Sequence, residues 1–256
     1  MIDTHYGNTH ILITGPKNAP PMITLHGGNG NTPLNLSLFL PLTNSFRVYA
    51  PDTVGFPGKS AQTRLSPKDN SYGQWVVDVM DGLNLKSVPF VTSSYSSSIL
   101  LQTATTAPER ISQAILHVRS GIAHGPILPM FKIMVDWLTY PSHPSRERLI
   151  RALQPMTTEI NEDFLEFCDA MLKDYKMELR GPKEFTKDEL KNFSAPTYVI
   201  AAKDDIFFPA NRVIPKAKEV IRNLIKTKCI DGGHLSSRAT LDDVNNEIIQ
   251  FINSHF

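Results

Sequence analysis

Cysteine is scarce in this 256-residue chain: Cys168 and Cys229 are too few and too isolated for a disulfide framework or a cysteine metal site. A surplus of either charge is also missing, since 26 Lys and Arg face 25 Asp and Glu for a formal net charge of +1. That balance supplies no concentrated basic face and argues against a nucleic-acid partner. No window approaches the roughly 18 uninterrupted apolar residues of a spanning helix, so no membrane partner is expected. The N-terminus, MIDTHYGNTH, is polar, carries Asp3 and does not read as a secretory signal. A reduced cytoplasmic compartment is the resulting expectation. Neither a metal nor an organic cofactor is expected, and oligomeric state leaves no mark on the sequence.

What is present is an alternation. THILIT (9–14), PMITL (21–25), FRVYAPD ending at Asp52, SVPFV and SQAILHV read as strands. Between them, SYGQWVVDVMDGLNL carries Trp75, Val76, Val79, Met80 and Leu83 at helical spacing, and a second helix is expected from about Ser96 to Ala107. The pattern resumes with PTYVIAA, ANRVIPKAKEVIRNL, IKTKCID and a last helix through TLDDVNNEIIQFINSHF. Strands alternating with helices of this length predict an α/β fold, a mostly parallel central sheet flanked by helices. The stretch 122–190 interrupts the alternation and reads as wholly helical. It is expected to be a cap over the C-terminal edge of the sheet, where open α/β folds bind ligands. The core then falls into two parts, 1–121 and 191–256. Met130, Phe131, Met134 and Trp137 recur at helical spacing, which points to packing and, on a cap, to pocket lining.

Five serines occupy the six positions from Ser93 to Ser98, between the apolar SVPFV and the helical ILLQTATTAPER. A strand, a sharp turn and a helix fit this context better than a linker. A nucleophile on such a turn needs small residues two positions before and after it, usually G-x-S-x-G. Around Ser94 the sequence is Thr92-Ser93-Ser94-Tyr95-Ser96, with no glycine at either place. Thr and Ser accept positive φ poorly, which predicts a strained turn.

Upstream, ITLHGGNGN ends a strand in His26-Gly27-Gly28, a turn whose N–H groups suit a developing oxyanion. A dinucleotide fingerprint there fails because Pro33 stands where the third glycine belongs, and GFPGKS fails as a phosphate loop because Thr53 replaces its first glycine. A serine hydroxyl needs an imidazole to take its proton and an acid to orient that imidazole, supplied in this architecture in the order Ser, acid, His. PTYVIAAKDDIFFP ends its strand at Asp204-Asp205, and KCIDGGHLSS ends the following one at His234.

With these pieces in view, the chain resembles the α/β-hydrolase superfamily from about Thr9 to its C-terminus. The family loop D-x-x-G-x-G-x-S is matched by DTVGFPGKS with one residue inserted. Pro108-Glu109-Arg110 lies at the family spacing from Ser94, while Pro196, Asp205 and Pro209 match the acid strand and favour Asp205 over the alternative acid, Asp204. GPKNAPPMITLHG, YGQWVVDVMDGL and FTKDELKNFSAPTYVI are most similar to a bacterial carboxylesterase branch. The chain departs from the family at Thr92, Ser96, Ser97 and Ala202, all in places usually held by glycine.

The resemblance implies a serine hydrolase of small-molecule esters. Ser94, Asp205 and His234 would be catalytic, with the backbone N–H groups of Gly28 and Tyr95 as oxyanion hole. A thioesterase, lactonase, aminopeptidase or carbon–carbon hydrolase would use the same parts. A non-catalytic small-molecule binder is the alternative of another class. Dehalogenase chemistry needs a carboxylate where Ser94 stands.

Overall fold

The computed structural model describes residues 1–118, 120–157 and 159–255. Two stretches, 88–93 and 197–202, are buried along their whole length, as strands covered on both faces must be. In chain order the strands are β1 (Ile2–Thr4), β2 (Gly7–Thr9), β3 (Ile11–Thr14), β4 (Pro21–Leu25) and β5 (Arg47–Pro51). They continue with β6 (Val88–Ser93), β7 (Ile111–His117), β8 (Thr197–Ala202) and β9 (Leu224–Ile230). The main sheet has the order β3-β5-β4-β6-β7-β8-β9 and is parallel except for the β3–β5 pair. Pro89 lies in a central strand, where its missing N–H is absorbed by a register shift between Val88 and Pro89. The N-terminal segment forms a separate β1–β2 hairpin that turns at Gly7 with φ +104. THILIT is therefore two strands: at His10 the N–H goes to the Ser60 hydroxyl at 2.9 Å.

The helices are α1 (Thr32–Leu38), α2 (Ser71–Gly82), α3 (Tyr95–Thr106), α4 (Ile127–Thr139) and α5 (Arg146–Leu153), followed by α6 (Glu162–Asp174), α7 (Ala210–Val220) and α8 (Arg238–Ser254). One face of the sheet packs on α2, α3 and α7 through Trp75, Leu100 and Val213. The other packs on α1 and α8 through Leu36, Val244 and Ile248. Trp75 is fully buried and still donates its indole N–H to Thr9 Oγ1 at 2.9 Å. Phe256, placed by the sequence reading at the end of the last helix, lies outside the described residues.

The stretch 122–190 is not helical throughout, and Thr158 within it lies outside the described residues. Pro141 and Pro144 separate α4 from α5. Asn161 starts α6 by accepting the Phe164 N–H at 2.9 Å. After Asp174 the chain runs as an extended strap, because Gly181-Pro182 disfavours helix and the strap's backbone pairs with core loops. Helices α4, α5 and α6 share a small apolar cluster centred on Leu149, Leu153 and Leu165, with Trp137 against it. The expectation for α4 holds for Trp137 but not for Phe131. Ile127, Leu128, Phe131, Val135 and Leu138 form an exposed apolar stripe. No helix among the described residues is long and apolar enough to cross a membrane.

Glu247 of α8 ties β8 and β9 together: it accepts the Tyr198 hydroxyl at 2.7 Å and pairs with Lys226 and Lys228. Partial burial pushes its carboxyl up, but the two lysines and the tyrosine outweigh this and hold it at about 2. A depressed carboxyl contributes stability above its unfolded pKa, and that contribution is lost as pH falls through the folded value. Glu247→Gln is expected to cost about 1–2 kcal/mol at pH 7 after allowance for solvent screening. Urea unfolding at a series of pH values should show the deficit narrowing from about pH 4.5 downward. A deficit independent of pH would mean that packing, not charge, is lost.

Candidate active site

The turn between β6 and α3 places Ser94 at φ +53 and ψ −120, a conformation rarely paid for outside functional sites. Among the described residues, Thr92, Ser96 and Ser97 are absent from the positive-φ positions. Positions 92, 96 and 97 therefore demand small side chains rather than left-handed backbone, and the strain expected of Thr and Ser falls on Ser94 alone within the turn. Their hydroxyls are used instead. Ser96 Oγ accepts the Ser93 N–H at 3.0 Å and lies 2.8 Å from the Leu25 carbonyl of β4. Thr92 Oγ1 lies 3.0 Å from Ser97 Oγ and donates to the Ile115 carbonyl of β7 at 3.1 Å. Ser94 occupies the N-cap position of α3 but its hydroxyl makes no capping bond.

That hydroxyl meets His234 Nε2 at 2.9 Å, and His234 Nδ1 meets Asp205 Oδ2 at 2.9 Å. Asp205 is 2% exposed, and its other oxygen accepts the Phe207 and Phe208 N–H groups at 2.8 and 3.1 Å. The carboxylate is thus acceptor only, which puts the imidazole proton on Nδ1 and leaves Nε2 to accept from Ser94. Phe207 packs edge-on to the His234 ring with centroids 5.0 Å apart. Asp204 is solvent-exposed, and its N–H bonds to the Gly232 carbonyl at 3.0 Å, away from this chain of contacts.

Gly27 and Gly28 run directly against the turn. A Cβ at residue 27 would lie 3.3 Å from Ser94 Cβ, and one at residue 28 would lie 3.0 Å from Tyr95 Cβ. The loop is held from behind by His26, whose Nε2 accepts the Thr53 N–H at 2.9 Å while Nδ1 donates to the Gly27 carbonyl at 2.9 Å. Burial pushes the His26 imidazole down, so it stays neutral in this bridging tautomer. Asp52 braces the next segment by accepting the N–H groups of Thr32 and Lys59 at 3.2 and 3.0 Å. Burial pushes its carboxyl up, but these donors more than compensate and leave it below the ordinary range. Asn29, at φ +55, exchanges two amide hydrogen bonds with the backbone of Glu178 in the strap, at 3.1 and 2.7 Å. Tyr95 has a buried hydroxyl without a partner among the described residues and packs its ring on Phe56 at 5.4 Å.

A cavity of about 600 Å³ opens onto Ser94 and His234. Leu34 and Leu38 line it from α1, and Trp137, Phe164, Phe167 and Met171 from α4 and α6. Cys168 also lines it, and burial pushes its thiol up to about 12, so it is an inert apolar surface. No group of three or more His, Cys, Asp and Glu among the described residues is arranged to hold a metal ion. Sequence reasoning passed over Asn29, Asn35 and His117. The signal for His117 was available, because it ends a central strand at the ligand-binding edge of the sheet.

No protein-family model matches the chain. Carboxylesterase YbfK of Bacillus subtilis is 24% identical over 266 residues, spanning 98% of this chain and 86% of that protein. The crystal structure of naproxen esterase from Bacillus subtilis superimposes with a TM-score of 0.84 at 20% identity, covering 98% of this chain and 89% of that one. A serine hydrolase from Cycloclasticus zankles superimposes with a TM-score of 0.78 at 23% identity, covering 100% of this chain and 97% of that one.

Ser96→Ala would leave the Leu25 carbonyl and the Ser93 N–H without their buried partner. The expected loss is about 1–3 kcal/mol in urea unfolding. A variant as stable as the parent would show that the hydroxyl does not brace the turn.

Proposed function

We propose that this chain, which has the α/β-hydrolase fold, is a serine carboxylesterase acting on small-molecule esters through an acyl-enzyme. The observation that carries the reading is the unbroken sequence of contacts Ser94 Oγ, His234 and Asp205, each link 2.9 Å, at the floor of an apolar cavity. Its likeness along nearly the whole chain to proteins named carboxylesterases supports the ester as substrate class.

In this reading Ser94 Oγ attacks the ester carbonyl as its proton passes to His234 Nε2. Asp205 holds the Nδ1 proton and stabilises the imidazolium that forms. The carbonyl oxygen, now negative, is received by the N–H groups of Gly28 and Tyr95. One such donor is typically worth about 10²–10³ in turnover. His234 then protonates the departing alcohol and afterwards activates water against the acyl-enzyme. Asp204 has no role, in keeping with its exposure.

We read residues 122–190 as the cap of this site. Its aromatic and methionine side chains line the cavity, and the Met156 carbonyl accepts the Leu235 N–H at 2.9 Å beside His234. A cytoplasmic setting belongs to the same reading and is supported by two free cysteines.

The test is hydrolysis of p-nitrophenyl esters from acetate to octanoate, with fluorophosphonate labelling in parallel. The wild type is expected to turn over with chain-length dependence and to label. Ser94→Ala should lose both, with kcat down by about 10⁴-fold or more. Asp205→Asn should lower kcat by about 10⁴-fold, whereas Asp204→Asn should stay near wild type. A folded wild type that neither hydrolyses nor labels would sink the catalytic reading and leave a binding-only protein.

A further inference from the structure

The cavity wall beneath the turn carries polar atoms for which the ester chemistry has no use. Ser93 and His117 are register partners on the adjacent strands β6 and β7, so their side chains leave the sheet on the same face. Asn35 comes down on that face from α1, anchored by its Nδ2 to Thr24 Oγ1 at 2.9 Å. Phe39, four residues after Asn35, closes the niche by packing edge-on to the His117 ring with centroids 5.6 Å apart.

Ser93, Asn35 and His117 are 5, 4 and 2% exposed. Even so, Ser93 Oγ, Asn35 Oδ1 and both ring nitrogens of His117 find no hydrogen-bond partner among the described residues. All three residues line the cavity that contains Ser94 and His234. Interiors pair such atoms almost without exception, because leaving them unpaired is costly. Four of them gathered on residues that line one ligand cavity leave bonding capacity that a group brought by the ligand can use.

The chemistry of that partner follows from the donors. Burial first, and then the neighbouring His234, push His117 down to about 4, so at neutral pH it presents one N–H and one bare nitrogen. Ser93 adds a hydroxyl and Asn35 a carbonyl oxygen. The charged residues lining the cavity, Glu159, Asp163 and Arg238, are all solvent-exposed, so no cation waits in the niche for a carboxylate. Val118, next to His117, is held at φ +38, which a β-branched residue seldom adopts.

We propose that Ser93, Asn35 and His117 form a polar subsite for a neutral hydroxyl or carbonyl group carried by the substrate near its ester, making hydroxy- and oxo-substituted esters preferred over plain alkyl esters. The substrate class rests on the esterase reading, whereas the subsite itself is testable without turnover.

The probes are phenyl butyrate and its 2-hydroxy and 3-hydroxy derivatives. Calorimetry on Ser94→Ala, which cannot turn over, reads binding, and kcat/KM of the wild type reads the reaction. At least one hydroxylated ester is expected to bind Ser94→Ala about tenfold or more tightly than phenyl butyrate, since a site built to bond a hydroxyl penalises its absence. Adding His117→Leu should bring that ratio close to one, while His117→Gln should retain part of it. The ratio is taken within each protein, so a partly unfolded preparation does not distort it. Equal or undetectable binding of all three esters by Ser94→Ala overturns the subsite, as does a preference that survives His117→Leu. Should the wild type hydrolyse none of the esters while Ser94→Ala keeps the preference, the esterase reading falls and the subsite stands.

Discussion

Ser94 can hold φ +53 and ψ −120 only because the groups around it leave no easier path. Its N–H extends the β6–β7 ladder by one bond to the His117 carbonyl at 3.0 Å, and its own carbonyl accepts the N–H groups of Ser97 and Ser120 at 3.1 Å each. Ser120 adds its hydroxyl to the same carbonyl at 3.0 Å. The end of β7, the segment after it and the first turn of α3 thus converge on the backbone of one residue. The turn presents the hydroxyl to His234 and requires Gly27 and Gly28 to pass without side chains. The positions of His234 and Asp205 would have no meaning without it, since both come from later strands whose place in the sheet sets their reach.

Around this turn, charge and polarity are sorted by depth. Asp52 and His26, buried behind the glycine loop, spend their hydrogen bonds on backbone and keep loops from β4 and β5 in register. Asp205 directs its hydrogen bonds to two N–H groups and one imidazole, all within the β8–α7 and β9–α8 loops. The charged residues lining the cavity are exposed, while the wall built by α4 and α6 is mostly aromatic and aliphatic. Such a chamber favours uncharged molecules of mixed character, because each buried charge without a partner would have to be desolvated.

The α/β alternation and the sheet class were legible because β6, β7 and β8 each hold a short apolar run, 88–91, 114–116 and 198–202, between turn signals and helical patterns. Ser94 and His234 could be singled out because each sits in a strand-end loop, and Asp205 was preferred to Asp204 because Pro196 and Pro209 stand at the spacing of the resembled family; the structure brings the three side chains into contact. Three things were hidden. The strap after α6 has helix-forming residues, Lys176 to Arg180, but its backbone is claimed by Asn29, a partner 149 positions away. The tolerance of Thr92, Ser96 and Ser97 at the turn depended on carbonyls of neighbouring strands that sequence does not place in space. The face shared by Ser93 and His117 follows from strand register, which a single sequence does not reveal.

The Asn29–Glu178 pair has a mechanical consequence. Two hydrogen bonds formed by a single side-chain amide tie residues 175–181 to the glycine loop at one point. Tyr175, which donates its hydroxyl to the Gly55 carbonyl, and Arg180, which donates to the Leu65 carbonyl at 2.9 Å, rivet the same piece at two further places. The opposite side of the cavity, roofed by α4 and α6, has fewer such fastenings to the core. The two jambs of the doorway are therefore held differently: one is riveted to the glycine loop beside Ser94, the other is tied by Met156 to Leu235 and by Glu159 to Arg238, next to His234.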